Sequence, residues 1–314
     1  MDTVFMGSPD FALPALNKLA QSELINICAV VTQPDRPRGR GQKMQATPVK
    51  KRAVELGLEV YGEKNVNNPE FITKLKTINP QVIIVAAFGQ ILSSEILNLP
   101  EIACLNIHAS LLPKYRGAAP IHRAIIDGQK ETGITIMYMD EGMDTGDIIS
   151  QKKVEIKNDD TAGSLHNRLA ETGANLMLQT LTEIKQGKMD SIAQDDSEAT
   201  YADKLKKSDG KIDWTKSATE IYNLVRGLNP WPTAYTFYKG QRLKLWWLEV
   251  VKTETQANSA GEIIQANRQG LLVQCGTGVV KIIDLQPAGK QKMNYQDFLN
   301  GHQLKIGSRL GEDQ

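Results

Sequence analysis

The sequence predicts an α/β protein: a doubly wound, mostly parallel sheet followed by a small antiparallel β-barrel. Three observations predict it. Apolar strand-like runs alternate with helical patterns through the first half, several of those runs are apolar at nearly every position, and the last third breaks into short runs separated by Gly-containing turns. Alternation points to parallel crossover units. Continuous apolar content suits strands covered on both faces, and short, evenly spaced strands suit an antiparallel barrel. A chain of 314 residues is about twice a typical domain, so two domains are expected.

The elements follow in order. TVFMG reads as a strand, 9–21 as a helix, INICAVVTQ as a strand, then a loop, a helix over 47–56 and the strand LEVYG. A helical segment at 71–76 precedes the buried strands QVIIVAAFG and EIACLNIH. After a helix at 118–127, GITIMYMDEGMDTGDIISQKKVEI places two strands around a Gly-rich turn, a hairpin at the sheet's edge. Residues 159–185 read as a helix pair. In SIAQDDSEATYADKLKKSDGK the composition turns acidic, then basic and polar, so 1–189 is expected as the first domain, 190–210 as a linker and 211–314 as the barrel domain. There, a helix at 217–228 precedes TAYTFYK, RLKLWWLEV, AGEIIQAN, GLLVQC and GVVKIIDLQ.

Composition narrows the class of protein. With 37 basic and 36 acidic residues the net charge is +1, so any contact with nucleic acid must come from local patches. Cys28, Cys104 and Cys275 are odd in number and lie in apolar runs, which favours buried reduced thiols and a cytoplasmic setting. The N-terminus MDTVFMGSPD lacks a basic leader, and no apolar run approaches the roughly 20 residues that span a bilayer.

The chemistry concentrates in NIHASLLPKYRGAAPIHRAI. Residues two apart in a strand face one side, so Asn106 and His108 present an amide and an imidazole together at the carboxyl end of IACLNIH, where open parallel sheets bind ligands. An amide donates to a developing oxyanion and an imidazole moves a proton near neutral pH, the pair that acyl transfer needs. Alternation alone fits equally a strand-end cap and a histidine packed in a polar pocket. The turn Asp140-Glu141-Gly142-Met143-Asp144-Thr145-Gly146-Asp147 crowds four carboxylates around two glycines. Any one of them, folded against His108, would orient its ring; Asp and Gly also favour turns for backbone reasons alone. G-x-S-x-G, Walker A and G-x-G-x-x-G patterns are missing, no C-x-x-C occurs, and no required metal is expected.

Basic residues cluster at two places. Arg36, Arg38, Arg40 and Lys43 lie in a Pro/Gly-rich loop, suited to phosphate neutralisation or to simple solvation. Lys204, Lys206, Lys207 and Lys211 could extend such a track. Trp214, Trp231, Trp246 and Trp247 could stack on bases, but in a small barrel they are expected as core or packing residues.

Taken together, GSPDF, TQPDRPRGRG, AAFGQIL, NIHASLLPKYRGAAPIHRAI, TGITIMYMDEGMDTGDII, RGLNPWPTA and LQPAGK resemble, in order and along nearly the whole chain, the folate-dependent formyltransferases. The TQPDRPRGRG loop and the C-terminal part are similar to the branch that acts on initiator tRNA. The resemblance implies a Rossmann-like formyltransferase domain with an OB-like barrel. It further implies 10-formyltetrahydrofolate as donor and the amino group of methionyl initiator tRNA as acceptor; the composition suits a soluble cytoplasmic protein, and with no long exposed apolar stripe a monomer is expected. The resemblance selects Asp144 from the four carboxylates, beside Asn106 and His108. It also implies folate contacts at Ser110, Leu111, Leu112 and Pro113, with Phe88, Gly89, Gln90, Ile91, Asp140 and Gly142 forming the pterin pocket, and tRNA contacts from the loop of Arg36, Arg38, Arg40 and Lys43; by charge alone, Lys204, Lys206 and Lys207 are expected to continue that track.

Overall fold

The computed structural model describes residues 1–38, 41, 43–252 and 259–311. Two units emerge. The first comprises Met1–Pro120, Glu131–Glu155 and His166–Ala202; the second comprises Ile121–Lys130, Ile156–Leu165 and Asp203–Gln314, as far as it is described.

Seven strands form the sheet of the first unit: β1 (Asp2–Gly7), β2 (Asn26–Thr32), β5 (Val60–Gly62), β6 (Val82–Ala86), β7 (Ala103–His108), β8 (Glu131–Tyr138) and β9 (Ile148–Glu155). Their order is β5-β2-β1-β6-β7-β8-β9. The first five run parallel, and β8 and β9 add the antiparallel edge that the sequence predicts. Strands β1 and β6 are buried nearly throughout, as their apolar runs require. Each fully buried Val or Ile contributes about 1.5–3 kcal/mol relative to exposure.

Helices α1 (Leu13–Ala20), α2 (Pro48–Glu55), α3 (Pro69–Ile78) and α4 (Ser94–Leu97) connect these strands. Side-chain caps start two of them. Thr47 Oγ1 accepts from Lys50 N at 3.1 Å before α2, and Asn68 Oδ1 accepts from Glu70 N at 3.1 Å before α3, each with proline next in line. The basic stretch read as a loop contains a short hairpin, β3 (Arg36–Arg38) against β4 (Lys43–Gln45), with Arg36 opposite Gln45 and Pro37 opposite Met44. Proline and glycine conceal so small a ladder from any periodicity.

Chain order moves outward from β1 to β2 and β5, then restarts beyond β1 at β6, so the order reverses between β1 and β6. Ligands bind beside such a reversal, at the carboxyl ends of the strands. Ser8, just past β1, draws those ends together: its Oγ donates to Phe88 O at 3.3 Å and accepts from Gln33 N at 3.0 Å.

Helices α5 (Pro120–Ile126) and α6 (Ala162–Lys185) follow. Where the sequence suggests a helix pair, α6 is one helix of 24 residues. Gly173 does not interrupt it. A side chain there would come within 2.8 Å of Ile107 Cγ2, so glycine permits close approach to β7 instead of ending the helix. Residues 190–202 pair with the first unit, through Ile192 with Ile148 and Tyr201 with Arg116.

The second unit carries helix α7 (Ala218–Gly227), begun by a reciprocal Ser217–Glu220 capping box, and strands β10 (Ala234–Tyr238), β11 (Gln241–Val251), β12 (Ile263–Asn267), β13 (Gly270–Gln274), β14 (Val279–Pro287) and β15 (Met293–Asn294). Helix α8 (Tyr295–Gly301) closes the series. The sheet is antiparallel in the order β10-β11-β14-β13-β12, with β15 on β14. Trp214 is buried and its Nε1 donates to Thr236 Oγ1 at 2.9 Å. Trp246 and Trp247 are half-buried, but Trp231 is 51% exposed and departs from the packing role expected of it. It stands between Pro230, which is exposed, and Pro232, which is buried, and neither proline has an N–H to enter a ladder. Among the described residues no helix is long and apolar enough to cross a membrane.

Candidate active site

Strand β7 delivers Asn106 and His108 to one side of the sheet's carboxyl edge, opposite Met137 and Thr135 of β8. The β8–β9 turn folds back over them. Asp144 Oδ1 lies 3.5 Å from His108 Nδ1 and 3.5 Å from Asn106 Nδ2, at the outer limit of hydrogen bonding. Its other oxygen, Oδ2, accepts from Gly117 N at 2.8 Å. The His108 and Asp144 side chains are 7% and 17% exposed, so water screens their attraction only in part.

The four carboxylates of the turn take four different partners. Asp140 closes the turn, accepting from Gly142 N at 3.1 Å and Thr145 Oγ1 at 2.7 Å. Glu141 accepts from Ser94 Oγ, and Asp147 Oδ2 accepts from Ser191 Oγ at 3.0 Å. Of these four, Asp144 is the one against the imidazole. Gly146 fits a tight crossing: a side chain there would sit 2.0 Å from Tyr138 O.

The second ring nitrogen of His108 is committed. Nε2 lies 3.0 Å from the carbonyl oxygen of Tyr115, which can only accept, so Nε2 carries a proton. Proton gain and loss therefore fall to Nδ1, the nitrogen facing Asp144. Asn106 has two amide hydrogens; with one turned towards Asp144, the other remains for a substrate oxygen.

Residues 110–113 form a braced rim beside this trio. Ser110 Oγ donates to Lys114 O at 2.6 Å, and Ser110 O accepts from Thr135 Oγ1 at 2.7 Å. Leu112 N donates to Thr135 Oγ1 at 3.2 Å, and Leu112 O accepts from Gln151 Nε2 at 2.8 Å. Leu111 packs where Gly133 leaves room, and Pro113 O accepts from Thr200 N at 3.3 Å. Across the site, Phe88 belongs to the hydrophobic core, and Gln90 spans Val66 N at 2.9 Å and Glu63 O at 2.8 Å. Gly89 and Ile91 face outward. Ile91 is 81% exposed and Met143 63%; the Ser94–Glu141 bond ties their two segments together. Bare apolar side chains at a polar, backbone-rich rim suit a flat heterocycle.

Four residues around the site carry no signal in the sequence pattern: Gly117, Thr135, Gln194 and Arg116. Gln194 Nε2 donates to the carbonyls of Asp144 and Gly146, and Arg116 donates to Gln194 Oε1. They act through backbone atoms or from distant chain segments, which periodicity cannot register.

Of the basic residues, Arg36 donates to Gln33 Oε1 at 2.8 Å, and Arg36 and Lys43 are exposed on the hairpin of the first unit. Arg40 and the Arg38 side chain lie outside the described residues. Lys204, Lys206 and Lys207 are exposed on the second unit.

Comparison with known proteins gives a consistent account. The formyl transferase family matches residues 1–181, and the formyl transferase C-terminal domain matches residues 204–303. The chain is similar to the methionyl-tRNA formyltransferase of Halothermothrix orenii, at 51% identity over 99% of this chain and 100% of that one. It is also similar to that of Caldanaerobacter subterraneus subsp. tengcongensis, at 49% identity over 99% and 100%. Among solved structures, an N-formyltransferase from Helicobacter canadensis, in complex with folinic acid and dTDP-3-aminofucose, aligns with a TM-score of 0.66 at 20% identity. That alignment covers 93% of this chain and 99% of that one, and likeness of this degree speaks to the fold.

Proposed function

Given that the chain belongs to the formyl transferase family, alongside methionyl-tRNA formyltransferases, we propose that it transfers the formyl group of 10-formyltetrahydrofolate to the amino group of methionyl initiator tRNA. One observation carries the reading: a single carboxylate oxygen, Asp144 Oδ1, lies 3.5 Å from both the Asn106 amide and the His108 imidazole at the carboxyl edge of the sheet.

The folate co-substrate supplies the formyl carbon, with Ser110 to Pro113 on one side and Gly89, Ile91 and the Asp140 turn on the other. The free N–H of Asn106 donates to the formyl oxygen as negative charge develops on it, and protonated His108 adds to that field. Asp144, which orients His108 and stabilises its imidazolium, assists removal of the proton that the attacking amine loses, and the formyl C–N bond to the folate then breaks as a proton passes from His108 Nδ1 to the departing tetrahydrofolate nitrogen. No covalent enzyme intermediate is required. Arg36, Arg38, Arg40 and Lys43 contact the RNA backbone, with Lys204, Lys206 and Lys207 contributing from the second unit. The reaction belongs to translation initiation, and a cytoplasmic monomer fits it.

A second acceptor class, an amino-sugar nucleotide, shares the folate half of the site, and the exposed basic hairpin favours RNA over it. The test is radiolabelled formyl transfer to charged initiator tRNA, charged elongator tRNA and an amino-sugar nucleotide. Strong preference for the initiator is expected; transfer to the sugar alone would overturn the reading.

A further inference from the structure

Arg116 is a cation sealed from solvent, 2% exposed, on a segment that the chemistry above uses only through its backbone. A buried charge is expensive unless its hydrogen bonds are fully used. Its guanidinium donates to Gln194 Oε1 from Nε at 3.1 Å and from Nη2 at 2.8 Å, and to Asp196 Oδ1 at 2.8 Å. Two donors on Oε1 fix which way the Gln194 amide points. Its NH2 group must then face the opposite direction, where it donates to Asp144 O at 2.9 Å and Gly146 O at 2.7 Å.

Those two carbonyls bracket the sharpest part of the turn. Asp144 is held at φ 57°, in the left-handed region that few residues with a side chain enter and that Asp enters more readily than most. Gly117, the neighbour of Arg116, meanwhile gives its N–H to Asp144 Oδ2 at 2.8 Å. Adjacent residues thus grip Asp144 twice, by its carboxylate directly and by its main chain through Gln194. Arg116 is locked to the segment that carries Gln194, since Arg116 N donates to Thr200 O at 2.8 Å and Ala202 N donates to Arg116 O at 2.7 Å.

We propose that Arg116 and Gln194 are positioning residues for the formyl transfer described above: Arg116 orients the Gln194 amide, and Gln194 holds the Asp144 backbone so that its carboxylate meets His108. The inference rests on that functional reading. Neither residue needs to touch substrate.

Gln194→Glu separates this role from bulk stability. The carboxylate keeps the shape and gives Arg116 an anionic partner, but it cannot donate to the two carbonyls. In the full-length protein, kcat should fall about 10- to 30-fold with KM for both substrates within about twofold. Adding Gln194→Glu to Asp144→Asn should cost almost nothing beyond the loss from Asp144→Asn alone, because both act through one carboxylate. Hydrogen exchange at the Gly117 amide should quicken at least about tenfold in Gln194→Glu, whatever the acceptor proves to be. Gln194→Met, which lacks both donors and charge, replaces the Glu variant in the same measurements if that one fails to fold. An unchanged kcat, additive losses in the double variant or unaltered Gly117 exchange would each overturn the proposal. A wild type inactive on initiator tRNA would overturn the functional reading instead, leaving the exchange result to decide the positioning role.

Discussion

Replacing Asp144 with Asn removes a charge while nearly preserving shape, and its effect can be worked from the geometry. The amide oxygen of the new residue can still accept from Gly117 N, as Oδ2 does at 2.8 Å. Its NH2 group would then face Asn106 Nδ2, donor against donor, and His108 Nδ1, which it can meet only while that nitrogen is unprotonated, so the imidazolium loses its partner where a carboxylate oxygen now lies 3.5 Å from each. A unit charge pair at that separation is worth about 5 kcal/mol at an effective dielectric near 20 and about 1 kcal/mol in water. With side chains 7% and 17% exposed, an intermediate value of about 3 kcal/mol is appropriate, equivalent to roughly 100-fold in rate. The assay is initial-rate formylation of charged initiator tRNA with both substrates varied, so that kcat and KM separate. A fall of about 100-fold in kcat with KM little changed is expected, because the charge matters most when His108 is an imidazolium. A variant that keeps kcat within threefold, or that loses only KM, would refute the electrostatic reasoning.

Further predictions concern the neighbouring groups. Asn106→Ala and His108→Ala should each lower kcat by roughly 100-fold or more with tRNA affinity nearly unchanged, measured by turnover alongside filter binding. Replacing Arg38 and Arg40 together with Ala should reduce the slope of log affinity against log salt by about 0.7 to 0.9 for each phosphate no longer neutralised, while folate affinity stays constant. Burial pushes the Cys104 and Cys275 thiols up to about 12, whereas Cys28 is half-buried and shifted less. A thiol reagent at pH 8 should therefore modify about one cysteine rapidly in the native protein and three after denaturation, since a group with pKa about 12 is only ~10⁻⁴ thiolate there. Because the folded-state values lie above the ordinary thiol value of 9.0, their contribution to stability is complete below about pH 9 and declines as pH rises towards 12. Chemical denaturation across that range should show the decline.

Much was determined by the sequence alone, wherever the determining interactions are short-range or periodic. Continuous Val/Ile runs dictate strands buried on both faces, so β1, β6 and β7 were legible. The two-residue period put Asn106 and His108 on one face before any packing was known. The helix read at 47–56 matches α2, whose Thr47 cap is a local bond, whereas α3 begins at Pro69, two residues before the segment read at 71–76. The continuity of α6 was not legible, because only the approach of Gly173 to Ile107, residues distant in sequence, shows that the glycine serves packing instead of ending a helix. Trp231 was equally hidden, because its exposure depends on where the fold places the segment.

Composition and spacing left the four carboxylates of the 140–147 turn equivalent, the family resemblance singled out Asp144, and the tertiary structure distributed all four among their partners. Each has the same intrinsic chemistry, and only the fold brings Ser94 to Glu141, Ser191 to Asp147 and His108 to Asp144. The support behind Asp144 lies further still from sequence inspection. Gln194 and Arg116 are 50 and 28 positions from it in the chain, and Gln194 reaches its turn through backbone carbonyls that every residue possesses. A hydrogen bond to a main-chain atom leaves no trace in the identity of the residue that accepts it, so no pattern of side chains can announce it.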